Sequence, residues 1–307
     1  MTFDDRDGYI WMDGEFVEWR EAKVHVLTHT LHYGVGVFEG VRAYATDRGP
    51  AIFRLDRHTE RLQQSAKIMG MKIPFSTEII RQAQIDCVAK NELKSAYLRP
   101  MAFYGSEAMG LHAKGLKVHL SIAAWEWGTY LGEGALENGI RVKTSSFNRH
   151  HVNSTMSKAK TNGHYTNSIM ALQEAENAGY DEALMLDTNG YVAEGSGENI
   201  FIVRRGKVFT PSLTSALEGI TRDSIVEVMA SDMGLEVIEK QITRDEIYTA
   251  DEAFFTGTAA EVTPIRELDD REIGDGSSGP ITKEIQQRYF DVVNGRDPNR
   301  QDWLTYI

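Results

Sequence analysis

Two lysines lie two positions apart in the segment Ser157-Lys-Ala-Lys160-Thr-Asn-Gly-His-Tyr165, which leads into a helix-like stretch. A lysine amine in a desolvated pocket can form a Schiff base with a carbonyl cofactor. In an extended segment the side chains of Lys158 and Lys160 face the same side, so the spacing leaves the choice between them open. An exposed basic loop is the alternative interpretation, because lysines are common at protein surfaces.

Three further segments combine glycine with groups that could hold a ligand. Glycine lets the backbone bend sharply, and a turn that opens a helix offers N–H groups and a positive dipole end to a phosphate. The segments are Glu194-Gly-Ser-Gly-Glu198-Asn199, Leu217-Glu-Gly219-Ile-Thr221 and Phe255-Thr-Gly257-Thr258-Ala259. The ordinary alternatives are a turn with solvated acids, a simple helix cap at Thr221 and a packing turn of small residues.

The composition argues against several classes of partner. The 307 residues carry 33 Lys and Arg against 45 Asp and Glu, a formal net charge of −12. Binding to nucleic acid or to an anionic membrane would need a surplus of cations. Cys87 is the single cysteine, so we expect no intrachain disulfide and no metal site. No apolar run approaches the ~20 residues of a membrane span and no signal peptide is visible, so we expect a cytoplasmic protein.

Strand-like and helix-like patterns alternate along the chain. Helices are predicted at about 56–69, 76–90, 162–177, 222–233 and 281–293, with caps at Asp56, Ser76 and Thr221. Residues 9–14 are predicted to be a short strand that runs into an Asp13-Gly14 turn. Further strands are predicted at 24–27, 51–53, 116–124, 140–145, 182–187, 199–204 and 207–210, the last two joined as a hairpin. Cys87 lies on an apolar helix stripe and is predicted to be a core residue. Hairpins mixed with helices favour an α+β fold over a parallel doubly wound sheet.

A glycine-rich segment of low periodicity divides the chain. Residues 128–139 contain four glycines and are predicted to be an interdomain linker. The linker separates a small N-terminal domain, residues 1–127, from a larger C-terminal domain, residues 140–307.

Residues 194–222 resemble the signature of the class IV aminotransferases. The positions that carry the resemblance are Glu194, Ser196, Asn199, Ile200-Phe201, Val208-Phe-Thr210 and Leu217-Glu-Gly219-Ile-Thr-Arg222. Other motifs are similar to those of bacterial branched-chain-amino-acid aminotransferases. They are Leu31-His-Tyr-Gly-Val-Gly-Val-Phe-Glu-Gly-Val-Arg42, Ala96-Tyr-Leu-Arg-Pro100 and Thr256-Gly-Thr-Ala-Ala-Glu-Val-Thr-Pro264. The likeness covers nearly the whole chain.

The resemblance implies an α+β fold of two α/β-type domains, fold type IV, with pyridoxal 5′-phosphate (PLP) at the domain interface. It implies that Lys160 is the Schiff-base lysine and proton shuttle, and that Glu194 pairs with the pyridine nitrogen. It further implies that Tyr165 bonds the ring hydroxyl and that Arg61 binds the phosphate. The remaining implied cofactor residues are Leu217 against the ring, and Gly219, Ile220, Thr221, Gly257 and Thr258 in the phosphate turns.

The same resemblance implies a substrate pocket that accepts both an apolar branched side chain and the carboxylate of glutamate. Arg99 would meet that carboxylate, while Tyr97 and the Thr258-Ala259 turn would hold the α-carboxylate. The segment Met109-Gly-Leu111 resembles a loop that a partner subunit contributes, which implies at least a homodimer, with a higher homo-oligomer as the alternative. The full implied set is Tyr33, Phe38, Gly40, Arg42, Tyr97, Arg99, Met109, Leu111, Trp127, Tyr130, Thr258 and Ala259.

The implied activity is transfer of the amino group of L-leucine, L-isoleucine or L-valine to 2-oxoglutarate by a ping-pong mechanism, with amino acids and 2-oxo acids as small-molecule partners. Three alternatives stay open. The first is a D-amino-acid or (R)-amine transaminase, and the second is an aminodeoxychorismate lyase; both use the same fold. The third is a non-enzymatic protein whose turns bind another phosphate.

Overall fold

The computed structural model describes residues 2–128, 131–132 and 134–307, and the chain divides into two compact units. The first unit comprises Met1–Gly128, Ala159–His164 and Val292–Ile307. The second comprises Thr129–Lys158 and Tyr165–Asp291. Strands and helices are numbered below in chain order across both units.

The first unit is built on an antiparallel sheet with the strand order β17-β5-β4-β6-β7-β1-β2, and β3 pairs with β6. Its first hairpin turns at Asp13 and Gly14, whose φ angles of 51° and 108° suit the tight turns that join twisted strands. The strands are β1 Tyr9–Met12, β2 Glu15–Glu18, β3 Gly36–Phe38, β4 Val41–Thr46, β5 Gly49–Phe53, β6 Ala96–Tyr104, β7 Val118–Trp125 and β17 Leu304–Tyr306.

The two long helices of this unit, α2 Leu55–Ile68 and α3 Thr77–Lys90, belong to its apolar core. The unit also contains the short helix α1 His29–Tyr33 and 3-10 turns at Trp19–Glu21, Asn162–His164 and Pro298–Trp303. Ser76 caps α3 by accepting a hydrogen bond from the Ile79 N–H, as predicted. Cys87 is fully buried in this core, and burial raises the pKa of its thiol to about 12. The prediction that Cys87 is a core residue is confirmed.

The second unit is built on a mixed sheet with the strand order β10-β9-β8-β15-β14-β11-β12-β13, and β16 pairs with β15. Arg205 and Gly206 join β11 to β12 as the predicted hairpin, both with positive φ. The strands are β8 Ile140–Thr144, β9 Glu182–Leu186, β10 Val192–Gly195, β11 Asn199–Arg204, β12 Lys207–Pro211, β13 Val237–Lys240, β14 Glu252–Gly257, β15 Glu261–Leu268 and β16 Arg271–Glu272.

The helices α4–α8 lie in this second unit, and α9 runs from it into the last segment of the first. Their bounds are α4 Ala135–Asn138, α5 Val152–Thr155, α6 Tyr165–Asn177, α7 Ile220–Asp232, α8 Arg244–Tyr248 and α9 Pro280–Val293. The buried Glu252 carboxylate accepts hydrogen bonds from Ile281 N–H, Thr282 N–H and the Thr282 hydroxyl near the start of α9. These bonds satisfy donors that a helix start leaves without partners.

Three local predictions were wrong. Residues 24–27 form no strand, because Thr28 N–H bonds to the His25 carbonyl and closes a turn. Helix α2 begins after Arg54, not at Asp56, because Arg54 donates its N–H to the Trp303 carbonyl at 2.7 Å and takes a left-handed conformation. Helix α7 begins after Gly219, so Thr221 lies inside the helix and does not cap it.

The observed units differ from the predicted domain boundaries in two segments. The predicted boundaries place residues 159–164 and 292–307 in the C-terminal domain, yet they belong to the first unit. Strand β17 pairs with β5, and the Lys160 carbonyl accepts a hydrogen bond from Phe38 N–H. Long-range pairing of this kind leaves no mark on local composition. Within the segment predicted as a linker, residues 135–138 form α4.

In the part of the chain that the structure describes, no helix is long and apolar enough to cross a membrane. Across those same residues, no group of three or more His, Cys, Asp or Glu side chains could hold a metal ion.

Candidate active site

Lys160 is held by backbone contacts in the first unit. Its N–H donates to Ser65 Oγ at 3.0 Å, and its carbonyl accepts from Phe38 N–H at 3.1 Å. Its ammonium lies 5.1 Å from the centroid of the Phe38 ring. The half-buried amine therefore sits on a rigid backbone beside an aromatic face, which suits a lysine that reacts.

Lys158 has different surroundings, in the second unit. Its ammonium donates to the Leu213 carbonyl and, at 3.1 Å, to the Ala216 carbonyl. The sequence spacing left the two lysines equivalent, whereas the structure distinguishes them by what their amines contact.

Aromatic rings and an arginine form a cluster in the first unit. The Tyr97 ring lies 4.7 Å from the Trp127 ring, and the Arg99 guanidinium lies 4.7 Å over Phe38 and 5.5 Å over Tyr97. Gly40 makes room for this arrangement, because a Cβ there would lie 2.0 Å from the Tyr97 hydroxyl oxygen. The cluster combines an apolar wall with the Arg99 cation, as a pocket for both apolar and acidic side chains would need.

A group of buried charged side chains is centred on Glu39, the residue that follows Phe38 in the sequence. Glu39 accepts from Arg61 Nε at 2.7 Å, from Arg61 Nη2 at 2.8 Å and bonds His58 Nδ1 at 2.7 Å. Burial alone would raise the pKa of Glu39, but the Arg61 charge and the hydrogen bonds of both partners outweigh it and lower that pKa to about 2. Burial also lowers the pKa of His58 below its ordinary value, against the attraction of Glu39.

In the second unit, Glu194 forms a buried ion pair with Arg149. Arg149 Nε donates to Glu194 Oε1 at 2.7 Å, and Nη2 donates to the Gly195 and Ser196 carbonyls at 3.1 and 3.0 Å. Arg149 also donates to Ser168 Oγ at 2.9 Å. The arginine thus fixes both the Glu194 carboxylate and the turn that follows it, and such charge-assisted bonds are strong where water is excluded.

The loop before α7 is anchored to the same carboxylate. Leu217 N–H donates to Glu194 Oε2 at 3.2 Å, and the Leu217 carbonyl accepts from Asn199 Nδ2 at 3.0 Å. Asn199 also explains why position 219 is a glycine, because a Cβ there would lie 1.9 Å from Asn199 Oδ1. The N-cap residue of α7 is Gly219, which has no side chain to cap the helix, so the first N–H groups of α7 suit an anion.

Asn199 also pairs across the sheet with Thr256, just before Gly257, Thr258 and Ala259 at the end of β14.

The second unit also buries two acids that the sequence reasoning did not assign. Burial raises the pKa of Glu182 to about 7 and raises that of Glu198 well above its ordinary value, with mutual repulsion adding to the effect at Glu198.

The other predicted residues are placed as follows. Tyr165 begins α6 and is half-buried, and Arg42 pairs with Tyr97 across β4 and β6. The Tyr33 hydroxyl accepts from Gly110 N–H at 3.0 Å, in a region where Met109 and Leu111 are exposed. Tyr130 lies outside the described residues.

Sequence reasoning missed Arg149, Glu39 and His58. Arginine and glutamate are ordinarily exposed, and nothing in their local pattern signals burial. The only available signal was position, since Glu39 lies between Phe38 and Gly40 and His58 lies one helical turn before Arg61.

The comparison with protein families supports the resemblance seen in the sequence. The family model of amino-transferase class IV matches residues 36–268. This chain belongs to the class IV aminotransferase family. It is therefore an enzyme of the aminotransferase class with the α+β fold of that family, and both predictions are confirmed.

Other class IV aminotransferases match the chain over nearly its whole length. The branched-chain-amino-acid aminotransferase of Pseudomonas aeruginosa is 61% identical over 307 residues, covering 100% of both chains. The crystal structure of the Escherichia coli branched-chain amino acid aminotransferase has a TM-score of 0.95 at 46% identity, over 97% of this chain and 99% of that one. The crystal structure of the Thermobaculum terrenum branched-chain amino acid aminotransferase, in its PLP form, has a TM-score of 0.91 at 36% identity, over 97% of this chain and 98% of that one.

The ion group around Glu39 predicts a pH-dependent contribution to stability. Because the folded pKa, about 2, lies below the ordinary 4.5, the contribution is present above pH 4.5 and is lost as the pH falls towards 2. Replacing Glu39 by Gln leaves the Arg61 cation without its anionic partner and should lower the free energy of unfolding by about 3 kcal/mol at neutral pH.

Urea unfolding of the wild type and of Glu39→Gln, over a series of pH values, measures this difference. It should shrink below pH 4.5, whereas Glu21→Gln at an exposed pair should change little at any pH. A difference that stays constant down to the acid limit would contradict the interpretation.

Proposed function

We propose that this enzyme transfers the amino group of L-leucine, L-isoleucine or L-valine to 2-oxoglutarate, with pyridoxal 5′-phosphate as its cofactor. The observation that carries the proposal is the full-length match, at 61% identity, to a branched-chain-amino-acid aminotransferase. The geometry within each unit supports it, because each half supplies groups that this cofactor and these substrates require.

The residues present fit the cofactor. PLP, when bound, supplies an electron sink that stabilises negative charge at the substrate Cα. Lys160 would hold the aldehyde carbon at rest and then move the proton at the substrate Cα. Its fixed backbone supports this role, because a proton-transfer group must be held within hydrogen-bond reach of the atom on which it acts.

Glu194 would face the pyridine nitrogen and keep it protonated. Arg149 pairs with one oxygen of Glu194, and the Leu217 N–H holds the second oxygen. The side chain of Leu217 would then pack against the ring. Tyr165 would bond the ring hydroxyl.

Donors on several elements suit the phosphate. Arg61 would contribute its charge, and the N–H groups of Ile220, Thr221 and Thr258 would complete the set. A Cβ on Gly219 would lie 1.9 Å from Asn199 Oδ1, so a side chain is excluded there. A Cβ on Gly257 would make only ordinary contacts, the nearest with Glu198 Cγ at 3.4 Å. Burial of Thr221 limits competition from water.

The proposed substrate pocket combines apolar side chains with a charged one. Phe38, Tyr97 and Trp127 would contact the branched apolar side chain, and Arg99 would pair with the side-chain carboxylate of glutamate or 2-oxoglutarate. Arg99 can stack on aromatic rings when leucine is bound, because a guanidinium is weakly hydrated at its faces. The α-carboxylate would bind Tyr97 and the Thr258-Ala259 turn, with Gly40 and Arg42 completing the wall.

A half-reaction panel tests the substrate class. The holoenzyme is mixed with L-leucine, L-valine, L-isoleucine, D-alanine or 1-phenylethylamine, and loss of the cofactor's visible absorbance is followed. We expect the three L-amino acids to react fastest and 2-oxoglutarate to restore the spectrum. Lys160→Ala should slow the reaction at least about 100-fold, because the proton-transfer group is lost.

Other outcomes of the panel would overturn the proposal in identifiable ways. Preference for D-alanine and 1-phenylethylamine would identify the alternative transaminase. Pyruvate release from aminodeoxychorismate without an amino acceptor would identify the lyase. A colourless protein that reacts with none of these compounds would indicate a binding protein.

The proposed pocket predicts that loss of the Arg99 charge weakens binding of 2-oxoglutarate but not of L-leucine. Arg99→Met keeps an unbranched side chain over the rings but removes the charge, so the KM for 2-oxoglutarate should rise about 10- to 100-fold. The KM for L-leucine should stay within about threefold, because leucine has no side-chain carboxylate. Arg141→Met, at an arginine that stacks on Tyr180 in the other unit, is the matched control. Equal losses for both substrates would contradict the role of Arg99.

Exposed apolar side chains support a homodimer as the active assembly. Leu111 is 88% exposed, Val26 71% and Leu31 64%, and Tyr33 and Met109 are also exposed. A hydrogen bond between Tyr33 and Gly110 joins two of the segments that carry them. Large exposed apolar residues that cluster favour an interface between subunits.

Light scattering at micromolar concentration tests this assembly. The wild type should have at least twice the monomer mass of 34.5 kDa, and Leu111→Asp should shift it towards the monomer. Ile79→Asp, at an exposed position of α3, should leave the mass unchanged. A monomeric wild type would overturn the proposal.

A further inference from the structure

The loop of residues 213–217, between β12 and α7, lies outside the helices and strands. It contains a turn at residues 213 and 214, and among the described residues no backbone–backbone hydrogen bond reaches Ala216 or Leu217. Ala216 is only 1% exposed, and its carbonyl would be costly to leave unpaired. Side chains therefore hold this part of the loop in place.

Lys158 supplies most of the contacts at the first part of the loop. Its ammonium donates to the Leu213 and Ala216 carbonyls and lies 3.4 Å from Glu218 Oε1. A lysine ammonium has three donors, and three acceptors surround this one. One side chain thus bridges residues 213, 216 and 218.

Ser157 Oγ adds a long hydrogen bond, 3.4 Å, to the Thr214 carbonyl in the first part of the loop, and the other contacts lie at its far end. Leu217 donates to Glu194 and accepts from Asn199, and α7 begins three residues later. The Lys158 ammonium binds the carbonyl of Ala216, which directly precedes Leu217, so its contact lies four residues before the start of α7.

The two carbonyl contacts matter more than the ion pair. Glu218 is 63% exposed and the Lys158 side chain 37%, so solvent screens their attraction and the pair contributes little. The Ala216 carbonyl is buried, and a charged donor to a buried acceptor makes a stronger hydrogen bond.

We propose that Lys158 is a positioning residue that fixes the 213–217 loop, and so fixes Leu217 and the first N–H groups of α7 where the cofactor ring and phosphate bind. The inference rests on the proposed function for the identity of the ligand. Lys158 touches none of the reacting atoms and acts through the loop. Lys158, the first lysine of the Lys158-Ala-Lys160 segment, therefore has a task distinct from that of Lys160.

Two readouts on the holoenzyme test this role. The first is amide hydrogen exchange of the peptide covering residues 213–219, with a peptide from β14 as the internal reference. The second is the rate at which PLP is released on dilution. Lys158→Met removes the donors and keeps an unbranched apolar stem, whereas Lys158→Arg keeps donors and charge. Lys143→Met is the matched control, since Lys143 contacts Tyr180 and not the loop.

We expect Lys158→Met to speed exchange in the loop and release of PLP about tenfold each, with exchange in β14 unchanged. Lys158→Arg should restore most of both, and Lys143→Met and Glu218→Gln should behave as the wild type. Unchanged loop exchange in Lys158→Met would overturn the proposal, as would an equal effect of Glu218→Gln. A wild type that binds no PLP would defeat the proposed function, and loop exchange would still decide whether Lys158 holds the loop.

Discussion

A carboxylate taken out of water is costly unless a cation or hydrogen-bond donors compensate it, and in the second unit Arg149 does this for Glu194. Arg149 uses further donors on the Gly195 and Ser196 carbonyls, so the ion pair and the turn form one rigid piece. Glu194 in turn holds Leu217, and through it the start of α7. Removing either member would leave a buried charge alone, which is more costly than the pair itself is stabilising. The geometry around the proposed pyridine and phosphate positions therefore depends on this interaction.

The first unit follows the same physical rule with different residues. Glu39 sits between Phe38 and Gly40 of the proposed pocket and is bound by Arg61 and His58, so a buried anion again orders its surroundings. Two glycines add a steric constraint that charge cannot supply: Gly40 leaves room for the Tyr97 hydroxyl, and Gly219 leaves room for Asn199. In each case the small residue permits a polar side chain to reach its place, and the chemistry of the site follows from that placement.

Local signals predicted the elements that are formed by local interactions. The hairpins at Asp13-Gly14 and Arg205-Gly206 follow from turn chemistry, and the Ser76 cap follows from helix chemistry. Strands β3, β14 and β15 are buried along most of their length, so an alternation of buried and exposed residues could not mark their bounds. The roles of Lys160 and Glu194 came from the family resemblance, and spacing alone could not separate Lys160 from Lys158. Arg149 could not be found at all, because its function arises from contacts between residues 45 positions apart.

We propose that the amine of Lys160, and not that of Lys158, holds the aldehyde of the cofactor. Reduction of the holoenzyme with borohydride, followed by peptide mapping, identifies the lysine because it records the covalent attachment itself. We expect the pyridoxyl label on Lys160 alone. A label on Lys158, or a protein that takes up no label, would contradict it.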